Sequence, residues 1–163
     1  MENARLEAEL LLAKAMGVDR TYVMVNYGYS LEAEVVDQFI NLVGRRAEHF
    51  PLQYLTGQQE FMSLPFSVEE GVLIPRGDTE VLVEAILKLD LTLCKSILDV
   101  GTGSGIIAVS LARYLPGSKV TAVDISTRAL DLAKRNAEAL GVGERILFLQ
   151  ADVFHWNPEE KYD

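Results

Sequence analysis

Apolar residues recur at helical spacing through the first fifty positions and give way to short unbroken runs after position 95. Residues 4–16 put Leu6, Leu10 and Ala13 on one face, with Gly17 placed to end the helix. Asp19 is positioned to cap a short second helix reaching Val25. Ser30 is expected to cap a longer one with Val35, Val36, Phe39, Ile40 and Val43 as its buried stripe, and Pro51 lies beyond its end. Residues 1–50 therefore predict a small helical bundle.

Residues 51–78 are richer in Pro, Gly and aromatic residues. Gln59–Met62, Phe66–Val68 and Val72–Ile74 read there as short strands between turns. A helix is predicted from Thr79 to about Lys88, with Asp78 or Thr79 as N-cap and Val81, Leu82, Ala85 and Ile86 facing inward. Thereafter the pattern is β-α-β-α-β: strands at Ile97–Val100, Lys119–Val123 and Ile146–Leu149, and helices from Ile106 to Tyr114 and from a Ser126 cap to Leu140, with Gly141 ending the second. Strands without polar alternation, joined by helices, predict a parallel sheet covered on both faces, and right-handed crossovers order the strands 3-2-1. The fold class is α/β: a helical bundle, a segment of short strands, and a Rossmann-like parallel sheet.

Charge narrows the partners. The chain carries 15 basic and 24 acidic residues, net −9, most of the excess lying in residues 1–90. Nucleic-acid binding rests on Lys and Arg neutralising phosphates, so direct binding to DNA or RNA is not expected. The longest uncharged stretch, Val100–Ala112, is 13 residues with three glycines, too short to cross a bilayer. With Glu2, Glu7 and Glu9 where a signal peptide would be basic and apolar, and a single cysteine, Cys94, a cytoplasmic location is expected. His49, His155 and Cys94 have no metal-ligand company at useful spacing, and no metal is expected.

The candidate chemistry is concentrated in Asp99-Val100-Gly101-Thr102-Gly103-Ser104-Gly105, at the end of the first parallel strand. Glycines there let the backbone turn sharply and approach a ligand, and ligands of open parallel sheets bind at the carboxyl ends of the strands. A dinucleotide G-x-G-x-x-G would need glycine where Ile106 stands, and no Gly-Lys-Ser/Thr is present for a phosphate loop. The second strand ends in Asp124, a fit for a ribose diol, and the third is followed by Asp152, an acceptor for an adenine amino group. Three carboxylates on three strand tips favour a nucleoside bearing positive charge, such as S-adenosyl-L-methionine, over a pyrophosphate.

The Asp99–Gly105 run resembles the first motif of class I S-adenosylmethionine methyltransferases. Upstream, Pro51-Leu52-Gln53-Tyr54-Leu55-Thr56-Gly57, Glu60-Phe61 and Leu73-Ile74-Pro75-Arg76-Gly77-Asp78-Thr79-Glu80 resemble the HemK/PrmC family, with Gly77 where that family usually has proline. The resemblance implies an enzyme that methylates the side-chain amide nitrogen of a glutamine in peptide-chain release factors. It implies a release-factor-binding bundle over 1–50, a hairpin linker over 51–78, and a cofactor domain over 79–163 that is incomplete at its C-terminus. Gly101, Thr102, Gly103, Ser104 and Gly105 would line the methionine end, Asp124 would take the ribose, Val153 would pack beside the adenine, and Arg76 and Thr79 would belong to a loop closing near the cofactor. The family's substrate-gripping Asn-Pro-Pro-Tyr does not occur in these residues; Asn157-Pro158-Glu159 comes too early and reads as a turn. The chain is thus expected to be an N-terminal fragment with no catalytic residue of its own, inactive alone, with Ile97–Val100 an exposed edge open to self-association. An adenine-amino methyltransferase and a non-catalytic interaction module are the alternatives.

Overall fold

The computed structural model describes residues 3–26, 28–89, 96–158 and 161–163; Cys94, and Glu159 of the expected turn, lie outside the described residues. The chain divides into two units, Met1–Gly57 and Gln58–Asp163.

The first unit contains helices α1 (Ala4–Met16), α2 (Arg20–Val25), α3 (Ala33–Ala47) and α4 (Leu52–Thr56). Gly17, in the left-handed region at φ 67°, ends α1, and the Asp19 carboxylate accepts the Tyr22 N–H at the start of α2. Its packing differs from the expected stripes. Leu11 and Ala13 are buried on α1, as is Glu9, which Arg5 (2.9 Å) and Arg20 (2.8 Å) neutralise. No residue of α3 is fully buried, and Ile40 is 61% exposed, because a unit this small cannot cover both flanks of a helix. Ser30 does not cap α3; Glu32 stands at that position without a side-chain bond. The helix α4 was not expected: Gly57, at φ 78°, closes it by donating to the Gln53 carbonyl (2.7 Å), so the stretch 51–78 is split between the units.

The second unit opens with an antiparallel hairpin, β1 (Gln58–Phe61) and β2 (Leu64–Ser67), whose two-residue turn holds Met62 and Ser63 at φ 50° and 58°. Turns of this kind usually employ Asn or Gly. Here the Glu80 carboxylate accepts the Met62 N–H (2.7 Å), and the Tyr114 hydroxyl donates to the Met62 carbonyl (2.6 Å), offsetting the backbone strain. Phe61 and Phe66 meet edge to face beneath it. The third expected strand, Val72–Ile74, does not form: the Val72 N–H turns back to the Glu69 carbonyl, and Glu69 is held by Arg128 and Arg135. Helix α5 runs Gly77–Leu87 from an Arg76 N-cap, so Asp78 and Thr79 lie inside its first turn rather than capping it. It buries Val83 and leaves Val81 and Leu82 exposed, because three consecutive apolar residues point in three directions around a helix and only one of them reaches the core.

Strands β3 (Ser96–Val100), β4 (Lys119–Asp124) and β5 (Ile146–Gln150) form a parallel sheet with β4 central, linked through α6 (Ile106–Tyr114) and α7 (Thr127–Ala139). The order matches the 3-2-1 expectation. Two right-handed crossovers in the same direction put both helices on one face. There Val120, Ala122 and Ile146 join Val109, Leu111 and Ala137 in the core. The expectation of a sheet covered on both faces holds only at its centre: on the pleat opposite the helices, Thr121 and Val123 of β4 are buried, while Val100 and Leu147 on the flanking strands are 48% and 57% exposed. On the outer edge of β3, the Ser96 carbonyl and N–H are taken by Asp163, through its N–H (3.1 Å) and its carboxylate (3.0 Å). No described helix is long and apolar enough to cross a membrane.

Candidate functional site

The glycine loop hangs on the end of β4. Gly101 and Thr102 both donate their N–H to the Val123 carbonyl (2.8 and 3.0 Å), and the Gly103 N–H donates to Asp124 Oδ2 (2.9 Å). Asp124 Oδ1 accepts the Ser126 N–H (2.9 Å), which fixes the carboxylate in the turn entering α7. Each oxygen keeps further acceptor capacity, and Asp124 is only partly buried.

Two glycines illustrate the division of labour in the loop. A Cβ on Gly103 would make only ordinary contacts, with Val72 at 3.9 Å and the Gly101 carbonyl at 4.0 Å, and one on Gly101 would meet nothing within 4 Å, so the space before the loop is open. On Gly105 a Cβ would lie 2.7 Å from that of Ala133, and φ there is 78°; this residue lets the loop press against α7 from behind. The open front and closed back form a cradle that suits a ligand approaching the backbone from the strand tips.

Asp99 is not on the rim. It is 8% exposed, and its Oδ2 accepts from the Thr102 hydroxyl (2.7 Å) and from the Ala108 N–H (3.2 Å), one of the unpaired donors of the first turn of α6. Burial pushes this carboxyl above the ordinary range, the two hydrogen bonds oppose the rise, and the charge of Asp124 adds to it. Thr102 and Ser104 are buried with it, so they shape the loop while Gly101 and Gly103 face outward.

The Asp152 carboxylate is engaged by its own loop, accepting the Phe154 N–H (3.0 Å) and pairing with His155 Nδ1 (2.8 Å). Val153 is 46% exposed beyond β5, and Ile125, beyond β4, is 66% exposed. Because Asp124 and Gln150 are register partners, these two apolar side chains leave neighbouring strand ends. Ile125 escapes sequence reading because a single apolar residue at a helix entrance looks like core. Arg76 is exposed at the start of α5 and Thr79 sits in its first turn; neither side chain is hydrogen-bonded to the glycine loop. What reaches that loop from the same segment is Val72, buried with Ala129 and Leu132. Among the described residues no three of His, Cys, Asp and Glu are grouped to hold a metal.

The parallel β-α-β-α-β order, with a glycine loop bound to a strand-tip carboxylate, defines a class I S-adenosylmethionine methyltransferase domain, and residues 97–163 match the family described as methyltransferase domain. Residues 1–57 match the PrmC N-terminal domain family, coinciding with the helical unit. The chain is similar to proteins named release factor glutamine methyltransferase. That of Moorella thermoacetica is 50% identical over 153 residues (93% of this chain, 54% of the relative), and that of Geobacter sulfurreducens 44% over 163 residues (100% and 56%). That of Chlorobaculum tepidum is 43% identical over 159 residues (94% and 54%). Residues 1–57 thus belong to the PrmC N-terminal domain family and residues 97–163 to the methyltransferase domain family, and the chain spans about half the length of these curated relatives.

Proposed function

We propose that these residues are the partner-binding and cofactor-binding portion of a methyltransferase that transfers the methyl group of S-adenosyl-L-methionine to the side-chain amide nitrogen of a glutamine in peptide-chain release factors. The observation that carries the reading is the bond from Gly103 N–H to Asp124 Oδ2, which makes the loop and the strand-tip carboxylate one preorganised unit. The cofactor supplies an activated methyl group. Gly101 and Gly103 present open backbone to its methionine end, Asp124 accepts from the ribose hydroxyls, and Ile125 and Val153 offer apolar contact to the base. Asp152 supports the base-side loop as well as offering an acceptor, and Asp99, Thr102, Ser104 and Gly105 hold the cradle in shape. Arg76 at the N-cap of α5 and Thr79 in its first turn belong to the segment on the substrate side, and the helical unit receives the release factor.

No Asn-Pro-Pro-Tyr occurs here to orient an amide nitrogen, so these 163 residues are assigned binding and not turnover. A titration calorimeter tests the cofactor half of the reading. S-adenosylhomocysteine should bind the 163-residue protein, and Asp124→Ala should weaken it about 10- to 100-fold, the worth of hydrogen bonds to a charged group. Absence of binding by the parent protein refutes the cofactor site. Methyl transfer from labelled S-adenosylmethionine to a glutamine peptide by this chain alone would refute the division of roles.

A further inference from the structure

Asn136 on α7 is a polar side chain deep in the core of the second unit, 2% exposed. Its amide makes three bonds to backbone. Oδ1 accepts the Ser67 N–H (2.8 Å), and Nδ2 donates to the Ser67 carbonyl (3.1 Å) and to the Ser104 carbonyl (2.9 Å). It thus serves Ser67, the last residue of β2, as a neighbouring strand would, using both main-chain groups at once. With its remaining proton it grips the glycine loop at the residue after Gly103. Ala133, one turn earlier on the same helix face, presses against Gly105.

We propose that Asn136 is a positioning residue that locks the register of the glycine loop to the hairpin strand β2, so that the loop reaches Asp124 in binding geometry only when β2 is docked. The inference rests on the cofactor reading above and adds to it a coupling between hairpin and cofactor site. A buried amide satisfied on three sides is costly to replace by any group that leaves these carbonyls bare. The residue does not touch the open side of the loop, so its effect on a ligand passes through the Ser104 carbonyl and the Gly103 N–H beside it.

The test compares Asn136→Ala with Val142→Ala, a buried residue that makes no bond to the loop, both in the 163-residue protein. Amide exchange is read first, without ligand. In Asn136→Ala the Ser67 and Gly103 amides should exchange at least about 10-fold faster than in Val142→Ala after both are compared at equal distance below their melting temperatures, since each loses one net hydrogen bond or its support. Affinity for S-adenosylhomocysteine is read second and should fall in Asn136→Ala by about 10-fold more than in Val142→Ala. Equal exchange at Gly103 in the two variants overturns the proposal whatever the affinity. Faster exchange with unchanged affinity overturns the coupling. If the parent binds no ligand, the cofactor reading fails and the coupling with it, while the exchange result still decides whether Asn136 holds the loop. Should Asn136→Ala not fold, Asn136→Ser, which keeps one donor, replaces it under the same criteria.

Discussion

Asp99 shows how a buried carboxylate can brace a loop without lying on its open side. Its hydrogen bonds fasten the loop to the first turn of α6, and burial raises its pKa above the unfolded value. A raised acid pKa means that the folded state holds the proton more tightly, so ionisation costs stability at neutral pH and the cost disappears as pH falls through the folded pKa. Asp99→Asn keeps an acceptor for Thr102 and Ala108 and removes the charge. Its melting temperature at pH 7 should therefore match or exceed that of the parent. The gap should close on acidification, as differential scanning calorimetry from pH 7 to pH 4 would record. A variant much less stable at pH 7 would show that the charge strengthens the two bonds by more than burial costs it.

Among elements, the helical unit depends on ion pairs that its small core cannot replace. Glu9 of α1 accepts from Arg5 and from Arg20 of α2, and Glu7 of α1 accepts from Arg46 of α3 (2.7 Å). The hydrogen bonds from Arg5 and then Arg20 hold the Glu9 carboxyl below the usual carboxylate range, and that from Arg46 does the same for Glu7. A lowered acid pKa contributes stability that is present above the unfolded pKa and is lost as pH falls through the folded one. Amide protection in α1 and α2, at Val23 for example, should therefore drop on acidification below the ordinary glutamate range. In Glu9→Gln protection should start lower at pH 7 and change less with pH. Hydrogen exchange at a series of pH values checks this, and an unchanged acid profile in Glu9→Gln would remove the pair from the account.

At the scale of the whole molecule, the sheet is packed on its helix face and, on the other, covered at the central strand but open along its flanks. Val100 and Leu147 are half-exposed on those flanks, and on the outer edge of β3, among the described residues, Asp163 takes the main-chain groups of Ser96. The carbonyls and amides farther along that edge, beside an apolar surface, are a template for another strand. We infer that the 163-residue protein associates with itself through this edge. Light scattering should show a mass that rises with concentration, and Leu98→Lys, which puts charge on that flank, should return it to the monomer. A mass of one chain, 18.1 kDa, at all concentrations would exclude the association.

The second half of the sequence was the more legible. Unbroken apolar strands, the Ser126 cap and the glycine loop are local signals, and β3, α6, β4, α7 and β5 lie within a residue or so of where those signals put them. The placing of Asp124 beside the glycine loop could be read because it depends only on standing at the tip of a parallel strand. The seating of α3 and α5, the loss of the Val72–Ile74 strand, and the burial of Asp99 and Glu9 could not be read, since each depends on which partner arrives from a distant part of the chain. Asn136 carried a faint signal, a polar residue on the apolar face of Ala129, Leu132, Ala133 and Ala137, but what it binds is 69 residues away in β2 and 32 away in the loop. Periodicity and turn chemistry are properties of neighbouring residues, so the sequence by itself determined the elements and the position of the nucleoside loop. Burial and hydrogen-bond satisfaction are properties of the packed whole, so only the tertiary structure decided which polar groups line the site and which hold it together.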